Sequence, residues 1–200
     1  MSYSKLPSFI LGFHGCDLTL KENLLLGKTK LKPSTNDYDW LGSGIYFWEN
    51  DPDRALSYAK MLKNNPQKSK SAKINTPAVI GAVIDLGNCL NLFDEKNLQL
   101  LKNTFEFAQE YSQKQGKKLP ENKLGEDLLL RNLDCFVINT LHSLIKETGE
   151  IKPFDSVRAP FSEGQVIYKN SGFREKNHIQ ICVINPNCIK GYFDPINNDY

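Results

Sequence analysis

The sequence predicts an α+β fold in a single domain spanning residues 1–200. Three observations carry this reading. Apolar, β-branched segments lie toward both ends of the chain, with a long helical block between them. Strands so far apart in sequence must share one core, which argues against a doubly wound parallel sheet. The glycine-rich loops GxGxxG and GxxxxGK(S/T) are absent, so ordinary dinucleotide and nucleoside-triphosphate folds lose ground. A chain of 200 residues buries a core of useful size without metal or disulfide support.

Residues 6–14, LPSFILGFH, read as a first strand, after which Asp17 caps a helix that stops at Gly27. A polar loop at 28–40 leads to a short strand at 45–48. Asp51 and Pro52 open a second helix with Ala55, Tyr58, Ala59 and Leu62 on one apolar face. Residues 63–75, KNNPQKSKSAKIN, form a basic loop without periodicity, and the run AVIGAVIDL at 78–86 is a buried strand. Helices over 95–115 and 124–147, broken apart by Gly116 and Pro120, make a helical insertion at about 94–148. Strands at 154–158, 166–168, 178–184 and 188–193 follow.

Hydrophobic residues at 40% and charged residues at 24% are ordinary for a globular domain. A net charge of +2 is too small to argue for nucleic acid or a membrane surface. Only Arg54, Arg131, Arg158 and Arg174 are available for bidentate recognition of phosphate or carboxylate. The five cysteines form no CxxC pair and no His/Cys cluster of zinc spacing, so reduced thiols in a cytoplasmic protein are expected. The N-terminal apolar run is too short for a signal peptide, and no stretch approaches membrane-spanning length.

Two segments, GFHGCD at 12–17 and GSGIYF at 42–47, carry glycines that packing alone does not explain. Glycine weakens a strand and marks the close approach of a ligand or another backbone. FHG on a first strand, followed by GxGIYF and a helix containing ALSYA, resembles the diphtheria-toxin and poly(ADP-ribose) polymerase branch of the ADP-ribosyltransferases. The resemblance is good over residues 13–59, partial over 178–193 and absent from the helical middle. It implies an ADP-ribosyltransferase-like fold: two packed, mostly antiparallel β-sheets with flanking helices. It also implies NAD as substrate, no metal, and a His-Tyr-Glu triad spread over three strands.

Carried over residue by residue, His14 takes the place of the histidine that bonds the adenosine-side ribose. Gly15 takes that of the glycine whose backbone receives the nicotinamide amide. A residue without Cβ lets a planar amide reach the main chain. Tyr46 matches the triad tyrosine, and Tyr58, allowing one inserted residue, the tyrosine that stacks on the other nicotinamide face. Ala55 falls where many relatives have a serine, which implies weaker recognition of the carboxamide.

The third triad member departs from the pattern, because Gln180 stands where the glutamate belongs. Glutamine keeps an oxygen for the ribose 2′-hydroxyl but has no charge to oppose a developing oxocarbenium ion. Either Gln180 works alone, or a carboxylate assists, with Glu163 the first candidate and Glu175 the second, or the protein binds NAD without turning it over. Arg158, five residues before Glu163, is read as a pyrophosphate clamp or acceptor contact, or as a surface ion pair. His178 shares the strand face of Gln180 by the two-residue period. It either reaches the same cleft or ends the strand as a polar residue. His142, among leucines, reads as packing.

The resemblance thus implies a mono-ADP-ribosyltransferase that releases nicotinamide and passes ADP-ribose to a macromolecular acceptor, protein or nucleic acid. Toxin-like members supply the analogy for a toxin or defence effector with an antitoxin or immunity partner. The alternatives are a NAD glycohydrolase and a catalytically inactive module that binds NAD or ADP-ribose.

Overall fold

Capping residues set the first boundaries. In the computed structural model, which describes residues 9–66 and 73–196, Asp17 ends β1 (Phe9–Asp17) and caps α1 (Leu18–Leu25). Its carboxylate accepts the Thr19 amide at 3.0 Å. Residues 6–8 of the expected first strand and 67–72 of the basic loop lie outside the described residues. β2 (Ile45–Glu49) leads into α2 (Pro52–Asn64), where Asp51 accepts the Arg54 amide at 2.8 Å and Pro52 starts the first turn. β3 (Pro77–Asp85) and the short β4 (Cys89–Asn91) precede α3 (Glu95–Lys114). A small hairpin of β5 (Asn122–Lys123) and β6 (Leu130–Arg131) introduces α4 (Asn132–Thr148). β7 (Ser156–Val166), β8 (Arg174–Val183) and β9 (Ile189–Phe193) close the fold.

Among the described residues, seven strands form one mixed sheet in the order β4-β7-β8-β2-β1-β3-β9, antiparallel except for the β4–β7 pair. The chain is therefore α+β, with four α-helices about a large sheet among the described residues. The expected pair of packed sheets is replaced by one hydrogen-bonded sheet with a weak seam. β1 meets β3 over nine residue pairs and β7 meets β8 over nine, whereas β1 meets β2 over two. Among the described residues, those are the only two ladder pairs between the halves.

Alternation along the strands sorts the core into two layers. Cys16, Ile45, Phe47, Ile80, Ile181 and Val183 pack with Leu24 of α1 on one face. On the other, Leu41, Val157 and Cys182 pack against Ile138, Leu141 and Ile145 of α4, while Phe13 and Trp48 pack against Ala55 of α2.

Three boundaries differ from the sequence reading. The second insertion helix begins at Asn132, not 124, because Leu124, Gly125 and Leu128 take positive φ and turn the chain through the β5–β6 hairpin. The strands expected at 154–158 and 166–168 are one strand, β7, whose register shifts between Glu163 and Val166. β4 has only three residues and owes its existence to parallel pairing with β7.

Candidate active site

The seam between β1 and β2 lies at the first glycine-marked motif. The two strands pair at Gly12↔Glu49 and Phe13↔Trp48, while β1 continues against β3 as far as Asp17↔Pro77. The Leu11 carbonyl accepts the Asn50 amide at 3.0 Å on the β2 side. By the alternation of antiparallel pairing, the backbone groups of Phe13 and Gly15 face β2 as well. Continued pairing would match Gly15 with Tyr46. Instead the ladder stops, and His14 Nδ1–H donates to the Tyr46 carbonyl at 2.8 Å. The strands part here, with the N–H and C=O of Gly15 aimed into the opening.

A carbonyl only accepts, so the His14 proton sits on Nδ1 and Nε2 is left as an acceptor. Burial lowers the His14 pKa, and the bond to the Tyr46 carbonyl partly offsets this. The ring lies on the face of Phe47, edge-on at 5.9 Å. Gly15 has a packing reason of its own: a Cβ there would stand 2.1 Å from the Ala55 carbonyl oxygen of α2.

Tyr46 points to the opposite face from His14, within the cluster of Leu41 and Cys182. Its O–H donates to the Gly42 carbonyl at 2.6 Å and accepts the Leu41 amide at 2.8 Å. Gly42 takes φ 77°, the left-handed conformation that this tight turn requires. The Tyr46 hydroxyl is thus committed to the turn before β2. Tyr58 of α2 lies tilted on Trp48 at 5.0 Å.

A second group of polar residues is buried on the α2 face. Glu163, His178 and Gln180 are 6%, 7% and 8% exposed, and are three of only five buried polar residues among those described. Arg54 Nη2 donates to Glu163 Oε1 at 2.8 Å, joining the start of α2 to β7 across β8. His178 Nε2 is 3.5 Å from the same oxygen and 3.1 Å from Gln180 Nε2. Burial lowers the His178 pKa despite Glu163 nearby. Trp48 Nε1 and Arg54 Nε are buried without a hydrogen-bond partner among the described residues. Each is a donor in want of an acceptor.

Among known proteins, the chain is similar to an uncharacterized protein of the archaeon Methanocaldococcus jannaschii. The two are 30% identical over 204 residues, spanning 95% of this chain and 87% of the archaeal protein. The chain belongs to the family of that archaeal protein. No family profile and no solved structure matches the chain.

In this member of the family, His14, Gly15 and Tyr46 meet at the seam, and Glu163, Gln180 and His178 meet beside it. Gln180 pairs with Trp48 rather than Tyr46, one step of two residues along β2 from the opening. The triad positions His14, Tyr46 and Gln180, spread over three strands as the resemblance implies, do not share one face of the sheet. Alternation sends His14 to the α1 face and the other two to the α2 face.

Arg158 follows the ion-pair alternative, partly buried rather than on the surface and with Glu49 as its partner. Its guanidinium forks onto Glu49, with Nη2 donating to Oε1 at 2.8 Å, and lies over Phe93 at 4.7 Å. It does not pair with Glu163: Nε and Nη2 are held by Glu49, and Nη1 is 3.4 Å from Asn91 Oδ1. Arg54 is the arginine at Glu163, and only its helical position, facing the sheet beside Ala55, hinted at it. Glu175 accepts the Gln165 amide in the β7–β8 hairpin.

Cavities of about 610 and 650 Å³ flank α4. Neither is lined by any predicted site residue. Among the described residues no cluster of His, Cys, Asp and Glu is arranged to hold a metal, and no helix is long and apolar enough to cross a membrane.

Proposed function

We propose that the chain is a NAD-dependent mono-ADP-ribosyltransferase on an ADP-ribosyltransferase-like fold. The parting of β1 and β2 at His14–Gly15 carries this reading. It leaves a donor and an acceptor of one residue side by side, which matches the two hydrogen bonds that a carboxamide makes. The nicotinamide amide takes the Gly15 pair, and His14 Nε2 accepts a hydroxyl of the adenosine-side ribose. Gln180 lies on the α2 face, one strand beyond β2 and a two-residue step of about 7 Å along the sheet from the Tyr46 row, so the nicotinamide ribose turns through the parted strands from the His14 side to meet it.

Gln180 Oε1 accepts the 2′-hydroxyl, and Glu163 supplies the nearest negative charge. The bond from C1′ to the nicotinamide nitrogen breaks, and its electron pair neutralises the pyridinium. The acceptor's lone pair forms the new bond to C1′, and its proton passes to solvent. Arg54 offsets the charge of Glu163, so transition-state stabilisation is weaker than a free carboxylate gives. A single transfer, not chain elongation, follows. The acceptor is a macromolecule, protein or nucleic acid.

The first test is binding. NAD at one hundred times its dissociation constant stabilises the fold by about 2.7 kcal/mol, and His14→Ala removes most of that gain. Equal thermal shifts in both proteins overturn the assignment. Incubation with labelled NAD and whole lysate, then protease or nuclease digestion, identifies the acceptor class. The glutamine at 180 and the Arg54 grip on Glu163 favour one second reading, a module that binds NAD or ADP-ribose. Stabilisation without nicotinamide release identifies that module, and release at full rate without an acceptor identifies a glycohydrolase.

A further inference from the structure

A glutamine standing in for a carboxylate raises a problem that a carboxylate does not have. Either oxygen of a carboxylate accepts a hydroxyl, whereas a side-chain amide presents oxygen in only one of two orientations related by a flip. We infer that His178 is a positioning residue that fixes the Gln180 amide with its NH₂ bound and its Oε1 turned outward as an acceptor. The inference rests on the proposed transferase reading for what that oxygen binds, but the orientation itself follows from hydrogen-bond chemistry at His178.

His178 Nδ1 is 3.1 Å from the Lys176 carbonyl oxygen. A carbonyl only accepts, so Nδ1 carries the proton, and in the neutral ring Nε2 carries a lone pair. Nε2 lies 3.1 Å from the Gln180 amide. Only the NH₂ group can bond it. The flipped amide would lose that bond and set an oxygen lone pair against a nitrogen lone pair. Both residues are more than nine-tenths buried, and the His178 side chain is 0% exposed, so water does not compensate for the flip. With no exposed surface, His178 does not touch substrate itself. It acts through Gln180.

The surroundings keep the ring neutral. Arg54 faces it from α2 and Asp51 from the cap before that helix, Glu163 and the Phe161 ring from β7, the Trp40 ring from the loop before β2, and the Lys176 carbonyl from its own strand. Burial and Arg54 favour the neutral form, Glu163, Asp51 and the Lys176 carbonyl favour the charged one, and the former prevail. Protonation would turn Nε2 into a donor with Glu163 Oε1 already 3.5 Å away. The Gln180 amide would then be released or flipped, and its outward oxygen lost. The folded pKa lies below 6.5, so the positioning holds at neutral pH and is lost as pH falls through that lower value.

Nitrogen NMR of the labelled wild-type protein tests the orientation without any NAD. The expected result at neutral pH is a proton on Nδ1, a bare Nε2, and a Gln180 amide proton close to the His178 ring. A protonated Nε2, or a Gln180 amide with no contact to the ring, overturns the inference. Kinetics tests the consequence. His178→Phe removes the acceptor and lowers kcat for nicotinamide release by about tenfold or more, with a smaller change in KM for NAD. His178→Gln, whose terminal oxygen reaches about the place of Nε2, restores kcat. Wild type loses activity below pH 6.5 as His14 and His178 take up protons, and His178→Gln keeps only the His14 part of that loss. A Phe variant that melts like wild type and keeps full kcat overturns the positioning role. Absence of any NAD-induced stabilisation or turnover in wild type fails the transferase reading instead, and the NMR result still decides the amide.

Discussion

Gly15 serves two masters, and the two requirements separate by direction. Its missing Cβ makes room for the Ala55 carbonyl above the sheet, while its N–H and C=O lie in the plane of the sheet and face the seam. An alanine at 15 would stand 2.1 Å from that carbonyl oxygen, a backbone atom that no rotamer change can move aside. Gly15→Ala is expected to cost about 1–3 kcal/mol through displacement of α2, and to abolish NAD-induced stabilisation. Gly191→Ala is the control, because a Cβ there meets nothing within 4 Å. Urea unfolding with and without NAD reads both effects. If Gly15→Ala is as harmless as Gly191→Ala, the close approach of α2 to β1 is not a feature of the folded protein.

At the scale of elements, local signals were legible in the sequence and non-local ones were not. The first turn of α1 follows from Asp17, and that of α2 from Asp51 and Pro52, because a cap acts within three residues. The leucine-rich stretch after 124 reads as helix from composition. Only its pairing with β6 and its positive φ values show a hairpin. β4 is invisible for the same reason, being three residues defined by a partner strand. The site divides likewise. His14, Gly15 and Tyr46 could be found because FHG and GxGIYF are contiguous motifs. The Arg54–Glu163 pair could not, since its members lie 109 positions apart. That pair is 16% and 8% exposed and ties α2 to β7, so breaking it on one side leaves a buried charge. Arg54→Leu is expected to cost about 3–5 kcal/mol at neutral pH, and Arg54→Leu with Glu163→Leu markedly less. A double-mutant cycle by urea unfolding measures this. A double variant no more stable than the single one would show that the ion pair is not what joins the two elements.

For the molecule as a whole, the three histidines set the response to acid. All three have lowered pKa values, and burial is the first cause in each. His142, on α4 edge-on to Phe154 at 6.1 Å, is brought down to about 4, with its Nε2 buried and unpartnered among the described residues. The unfolded chain takes up these protons near pH 6.5, whereas the folded chain resists them until lower pH. Between those limits the unfolded state binds more protons, so stability rises with pH and is lost as pH falls. The contribution is complete above pH 6.5, declines through the window down to about pH 4, and for His142 declines no further below that. Asp17 and Asp155, held below the usual carboxylate range mainly by hydrogen bonds, extend the loss to lower pH. The urea midpoint is therefore expected to be flat from pH 8 to 7 and to fall steadily from 6.5 toward 4. His142→Leu removes a buried group that must charge, without touching the seam or the Glu163 cluster. Its midpoint should fall less steeply over the same window and exceed that of wild type at pH 5. A variant with the wild-type slope would mean that His142 reaches solvent and titrates as it does in the unfolded chain. The remaining slope would then belong to His14 and His178, the two histidines whose neutral state the proposed chemistry requires.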